Sequence, residues 1–112
     1  MWYMRGNLLN KDLRDYPQAI ASYDRALAIN PSFADAWMGK GRALHELGQY
    51  TDALAAFGRS LQLSPNLTVA LILQSKTLNI LGRRPEAIAS LQRALQLQPT
   101  NPEAQRLLAG LR

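Results

Sequence analysis

Between Trp37 and Leu47 the apolar or small residues Trp37, Gly41, Leu44 and Leu47 recur at intervals of three and four, which places them on one face of a helix. Gly48 follows, the residue type that most easily takes the left-handed conformation ending a helix, and Thr51 offers a hydroxyl to cap the free N–H groups of a second one. From there Ala53, Leu54, Ala56, Phe57, Ser60, Leu61 and Leu63 form a broad apolar or small stripe, closed by Pro65, which cannot continue the hydrogen-bond ladder. The pattern predicts two antiparallel helices joined by a short turn. Gly41 and Ala53 are small enough to let the pair approach closely, with Trp37 and Phe57 filling the space around them. Neither stripe can be buried within one pair, so the unit needs neighbours.

Those neighbours are present in the same chain. A shift of 34 residues brings Ala19 onto Ala53 and Ala87, Pro31 onto Pro65 and Pro99, Tyr23 onto Phe57, Leu44 onto Leu78 and Gly48 onto Gly82. A fixed period of this length is the signature of a solenoid. Trp37, Gly41, Gly48, Tyr50, Ala53, Phe57 and Pro65, at their spacings, resemble the tetratricopeptide repeat, and three copies in register cover essentially the whole chain. The resemblance implies an all-α fold, a right-handed superhelical solenoid of antiparallel helix pairs with seven helices in one domain. Repeat 1 then spans 1–33, repeat 2 spans 34–67, repeat 3 spans 68–101, and a capping helix spans 102–112. In that last helix Ala104, Leu108 and Leu111 are expected to face the third repeat, and Gln105, Ala109 and Arg112 to form a polar outer face.

The copies are not identical. Trp2 lies 35 residues before Trp37 whereas Ala19 lies 34 before Ala53, so the first copy carries one extra residue, expected in the turn Lys11–Asp15, where Arg14 stands in place of the later glycines. The third copy has Leu71 for Trp, Ser75 for Gly, Leu91 for Phe and Arg84 for Tyr, keeping small against large with less aromatic bulk. At the start, Trp2 falls one turn into a helix by comparison with Ala34–Trp37, as in a segment of a longer protein, which leaves Met1, Met4 and Leu8 near an open end.

Composition narrows the function. The chain has 112 residues, 47% of them hydrophobic, and three repeats are about the minimum for a stable array. There is no cysteine for a disulfide or thiolate metal site, no apolar run of membrane-spanning length and no signal-peptide pattern, so a cytoplasmic setting is expected and no membrane partner. His45-Glu46-Leu47-Gly48-Gln49 begins like a zinc-protease motif but lacks the second histidine one turn later, so no metal is expected. Gly39-x-Gly41 lacks a third glycine and a preceding strand, and no Ser/His/Asp set or poised carboxylate pair is present. Neither an enzyme nor a cofactor is expected.

The resemblance implies that the first helices of successive repeats line a concave groove. Three columns follow at repeat spacing: Tyr3, Met38 and Ile72; Asn7, Arg42 and Lys76; Asn10, His45 and Asn79. Amides suit the N–H and C=O of an extended peptide, cations its carboxylates, and Met or Ile its apolar side chains, so the expected partner is another protein or peptide with some acidic character. Relatives that clamp a chaperone's C-terminal carboxylate use a set of Lys, Asn and Arg side chains; only Asn7 matches it, while Tyr3, Gly39, Val69 and Leu73 occupy the other places, so no such clamp is expected. Arg25, Arg59 and Arg93 form a further column on the second helices, read as exposed solubilising charge. Two alternatives stay open. The chain could be a structural or self-associating scaffold segment using its N-terminal end, or, third in order, a basic nucleic-acid-binding solenoid, since its net charge is +5. Against the last, the cations are dispersed and the aromatic residues look committed to packing.

Overall fold

Runs of helix formers punctuated by glycine, proline and asparagine give seven α-helices over residues 2–112, the part that this computed structural model describes. They are α1 (Trp2–Asn7), α2 (Tyr16–Ile29), α3 (Ala34–Glu46), α4 (Tyr50–Leu63), α5 (Thr68–Ile80), α6 (Arg84–Leu97) and α7 (Pro102–Leu111). No strand occurs among the described residues. The chain forms two compact units, one ending at Pro65 and the other spanning Asn66–Arg112.

In the first unit α1 packs on α2, α2 on α3 and α3 on α4. Its core is built around two large rings facing glycines. Tyr23 is fully buried against Gly6 of α1 and Gly39 of α3, and Phe57 is fully buried against Gly41. Leu9, Ala19, Leu27, Ala36 and Ala43 fill in around Tyr23, with Trp2 and Trp37 partly buried beside them. The expected apposition of Gly41 and Phe57 is therefore present.

The turn after the first helix of each repeat follows one rule, with one exception in residue type. Gly48 (φ 81°) and Gly82 (φ 77°) take left-handed conformations, and the next residues close the turns through Gln49 N–H to Leu44 C=O at 2.9 Å and Arg83 N–H to Leu78 C=O at 2.9 Å. In the first repeat the same place is taken by Arg14, at φ 51°. The extra residue is accommodated earlier than expected. Leu8–Asp12 forms a π-helical turn that continues α1, with Leu13 N–H bonded to Leu8 C=O at 3.1 Å, and Asp15 N–H reaches back to Leu9 C=O at 2.8 Å, one residue further than its counterparts. The reason is that Gly6 and Leu9 are buried like Gly41 and Leu44, and Ala19 and Tyr23 like Ala53 and Phe57, so the surplus has to be absorbed between the two pinned sets.

A second expectation is corrected at the following turn. Thr51 does not cap α4; it lies inside the first turn, and Gln49 is the N-cap residue without a side-chain hydrogen bond. Side-chain caps occur instead at Asp15, whose carboxylate accepts from Gln18 N–H at 3.4 Å, and at Asn101, which accepts from Ala104 N–H at 3.0 Å.

In the second unit α5 packs on α6 and α6 on α7. Leu91 is fully buried where the earlier copies have an aromatic ring, and the buried Ser75 hydroxyl donates to the Ile72 carbonyl at 2.6 Å. On α7, Ala104 and Leu108 are buried and Leu111 is half-buried, while Gln105, Ala109 and the C-cap residue Arg112 are exposed.

Candidate functional site

The first unit brings six of the expected groove residues onto α1, its π-turn and α3. Tyr3 is half-buried, its ring 4.6 Å from that of Phe33 and 6.2 Å from that of Tyr23. The Tyr23 hydroxyl donates to Asn7 Oδ1 at 2.6 Å, and Asn10 Nδ2 donates to the Tyr23 oxygen at 3.5 Å and to the Gly39 carbonyl at 3.3 Å. One buried phenol thus ties residues of two columns of the expected groove to α2, and the Asn10 amide extends the link to α3. Burial pushes the Tyr23 hydroxyl above its ordinary pKa, opposed by the hydrogen bond from Asn10, reinforced by neighbouring Tyr3 and opposed again by the Arg42 charge.

Met38, Arg42 and His45 lie along one face of α3 and are half-buried. The His45 ring meets Tyr50 edge-on at 5.2 Å. In the second unit Asn79 is exposed, and Lys76 Nζ lies 3.4 Å from Glu103 Oε2, so that cation already has a carboxylate.

Two of the expected groove residues are buried rather than displayed. Asn10 is 4% exposed because the π-turn carries it inward, where its amide bonds to Tyr23 and Gly39. Ile72 is 3% exposed, as suits an aliphatic side chain able to leave water.

Other features were not singled out by the repeat columns. Lys11, Arg14, Tyr16 and Glu46, with Asn10 and Arg42, line an open hollow of about 540 Å³. The only trace of it in the sequence is the extra residue and the arginine in place of glycine. At the N-terminal end Met4 is 72% and Leu8 50% exposed, next to Arg5, Asn7, Lys11 and Asp12 around a second hollow of about 500 Å³. Met1, expected at the same end, lies outside the described residues. Arg25 sits 5.0 Å over the Trp2 ring, and Arg59 donates to Gln62 at 3.3 Å. Among the described residues no three His, Asp or Glu side chains gather as metal ligands would, and no helix is long and apolar enough to cross a membrane.

A family model described as tetratricopeptide repeat matches residues 3–67, more than half of the chain. The chain belongs to the tetratricopeptide-repeat family. A second model of the same description matches 69–101, so the matched segments fall in both units. Two solved tetratricopeptide domains are similar over nearly the full length, each with a TM-score of 0.94 and 23% identity. One is the first TPR of Spaghetti (RPAP3) bound to the HSP90 peptide SRMEEVD, covering 98% of this chain and 86% of that one. The other is the Arabidopsis OM64 TPR domain, with 99% and 91% covered. At that identity they establish the shared tetratricopeptide fold. No curated protein matches the chain.

Proposed function

We propose that the chain is a protein-interaction module that holds a peptide segment of a partner against the open face of α3 and the adjoining side of α1. The observation that carries this reading is the row Met38, Arg42, His45, three half-buried side chains of different chemistry on one helix face, in which Arg42 enters no ion pair among the described residues. A preformed face of this kind spares the partner the cost of ordering a second surface, and the apolar, cationic and imidazole groups select an extended segment with acidic character. The tetratricopeptide domain with a bound HSP90 peptide supports a peptide as the class of partner.

The same geometry argues against a chaperone-tail clamp in this chain. Gly39, which takes the place of the expected asparagine, backs directly onto the Tyr23 ring, and there is no room there for a side chain. Tyr3, Val69 and Leu73 supply no cation. The function proposed is presentation without catalysis, in a cytoplasmic setting.

The test is selection of binding peptides from a displayed library, followed by direct titration of the best sequences. Met38→Glu and Arg42→Glu should each weaken them about tenfold or more while the circular dichroism stays helical. Unchanged affinity in both variants would remove the α3 face from the function. The exposed Met4 and Leu8 favour a second reading, self-association through the N-terminal end, for which Met4→Glu/Leu8→Glu should lower the mass in sedimentation and leave peptide binding intact.

A further inference from the structure

The hollow lies at the first inter-helix turn, where Arg14 holds the left-handed position that Gly48 and Gly82 hold in the other repeats. Its wall carries three cations, Lys11, Arg14 and Arg42, against one carboxylate, Glu46, and among the described residues none of the four enters an ion pair. Two of the three cations come from the segment that the extra residue distorts, Lys11 from the π-turn and Arg14 from the position that is glycine in the other repeats. A π-turn breaks the regular ladder, and a left-handed arginine is strained; both kinds of irregularity concentrate where a site is held in shape by its surroundings.

A second, independent observation comes from Asn10 in the same wall. It is almost wholly buried, its Nδ2 is spent on Tyr23 and Gly39, and its Oδ1 finds no hydrogen-bond partner among the described residues. Turning the amide over would set its oxygen against the Gly39 carbonyl, so the orientation is determined and the missing group is a donor. An excess of two positive charges beside an acceptor that lacks a donor describes a ligand carrying two negative charges and an N–H.

We propose that Lys11, Arg14 and Arg42 receive two carboxylates of an extended acidic peptide segment, whose main-chain N–H is taken by Asn10 Oδ1 when the long side chains at the rim part. This rests on the peptide-binding reading above and names the sub-site that reads acidity. Alternate residues of an extended segment point the same way about 7 Å apart, which suits two acidic side chains separated by one residue. The chain terminus is not required.

Arg14→Gly separates binding from folding, because glycine relaxes the left-handed backbone while deleting one cation. The probe is the peptide Gly-Glu-Gly-Glu-Gly, acetylated and amidated at its ends, titrated at low salt by calorimetry, with its Gln counterpart and glutarate, a dicarboxylate without N–H, as controls. Expected results are binding of the Glu peptide to the wild-type chain, roughly tenfold weaker binding to Arg14→Gly with no fall in Tm, further weakening with salt, and little binding of either control. The proposal is overturned if the wild type does not bind the Glu peptide, if Arg14→Gly binds it equally, or if either control binds as well. Library peptides that still depend on Met38 but ignore Arg14→Gly would leave the interaction module standing and remove only this sub-site.

Discussion

The Tyr23 ring occupies the space that a side chain on Gly39 would need: a Cβ built there would lie 2.6 Å from Cε1 and 2.7 Å from the hydroxyl oxygen. The ring cannot swing aside, because it is fully buried, is also pressed against Gly6, and is held by its hydrogen bond to Asn7. Gly39→Ala should therefore destabilise the fold by about 1–2 kcal/mol net, overpacking outweighing the gain of about 1 kcal/mol in helix propensity. Gly58 lies within α4 with nothing within 4 Å of its built Cβ, so Gly58→Ala should stabilise by up to about 1 kcal/mol. Urea unfolding of the two variants checks the opposite signs.

Ser60 is fully buried with a hydroxyl that finds no partner among the described residues, at a position where the other repeats carry the buried Ala26 and Ala94. Removing the hydroxyl removes a desolvation cost without leaving a large void. Ser60→Ala should raise stability by about 1 kcal/mol, read as a higher urea midpoint at unchanged slope.

Arg14 holds a positive φ of 51° with a side chain attached, while Gly48 and Gly82 do the same work without a Cβ. Arg14→Gly should stabilise by about 1 kcal/mol, less the entropy that glycine adds to the unfolded chain. Gly48→Arg, the reverse exchange one repeat later, should destabilise by a similar amount, and thermal melts of both variants test the pair.

Tyr23 couples the core to alkaline pH. Burial raises its pKa in the folded state, so below the ordinary value of about 10 both states hold the proton, and above it the unfolded chain ionises first. The unfolded state then binds fewer protons, and stability falls as pH rises toward the folded pKa. Tyr23→Phe should flatten this part of the pH profile while lowering stability near neutrality by about 1 kcal/mol through loss of the bond to Asn7. Urea midpoints of the two proteins from pH 7 to pH 11 measure the difference.

Much of the local architecture was readable from the residues in order. The period of 34, the glycines closing α3 and α5, the small residue facing the large ring at Gly41 and Phe57, and the two faces of α7 follow from helical periodicity and from which residues tolerate a left-handed backbone. The cap at Thr51 misled because the first turn of α4 begins earlier, at Tyr50, and a hydroxyl within the turn no longer reaches a free N–H at the helix start.

By itself, then, the sequence determined the repeat, the helices and the family, since these depend on spacings of a few residues. Only the tertiary structure decided where the surplus residue of the first repeat is absorbed. Gly6 and Leu9 on one side, and Ala19 and Tyr23 on the other, are each locked into the core, and the segment between them had to widen into a π-turn. That widening buries Asn10, sets Lys11 and Arg14 beside Arg42, and creates the basic hollow. A periodicity counted along the chain registers one extra residue; which side chains it brings together depends on what the packing on either side refuses to move.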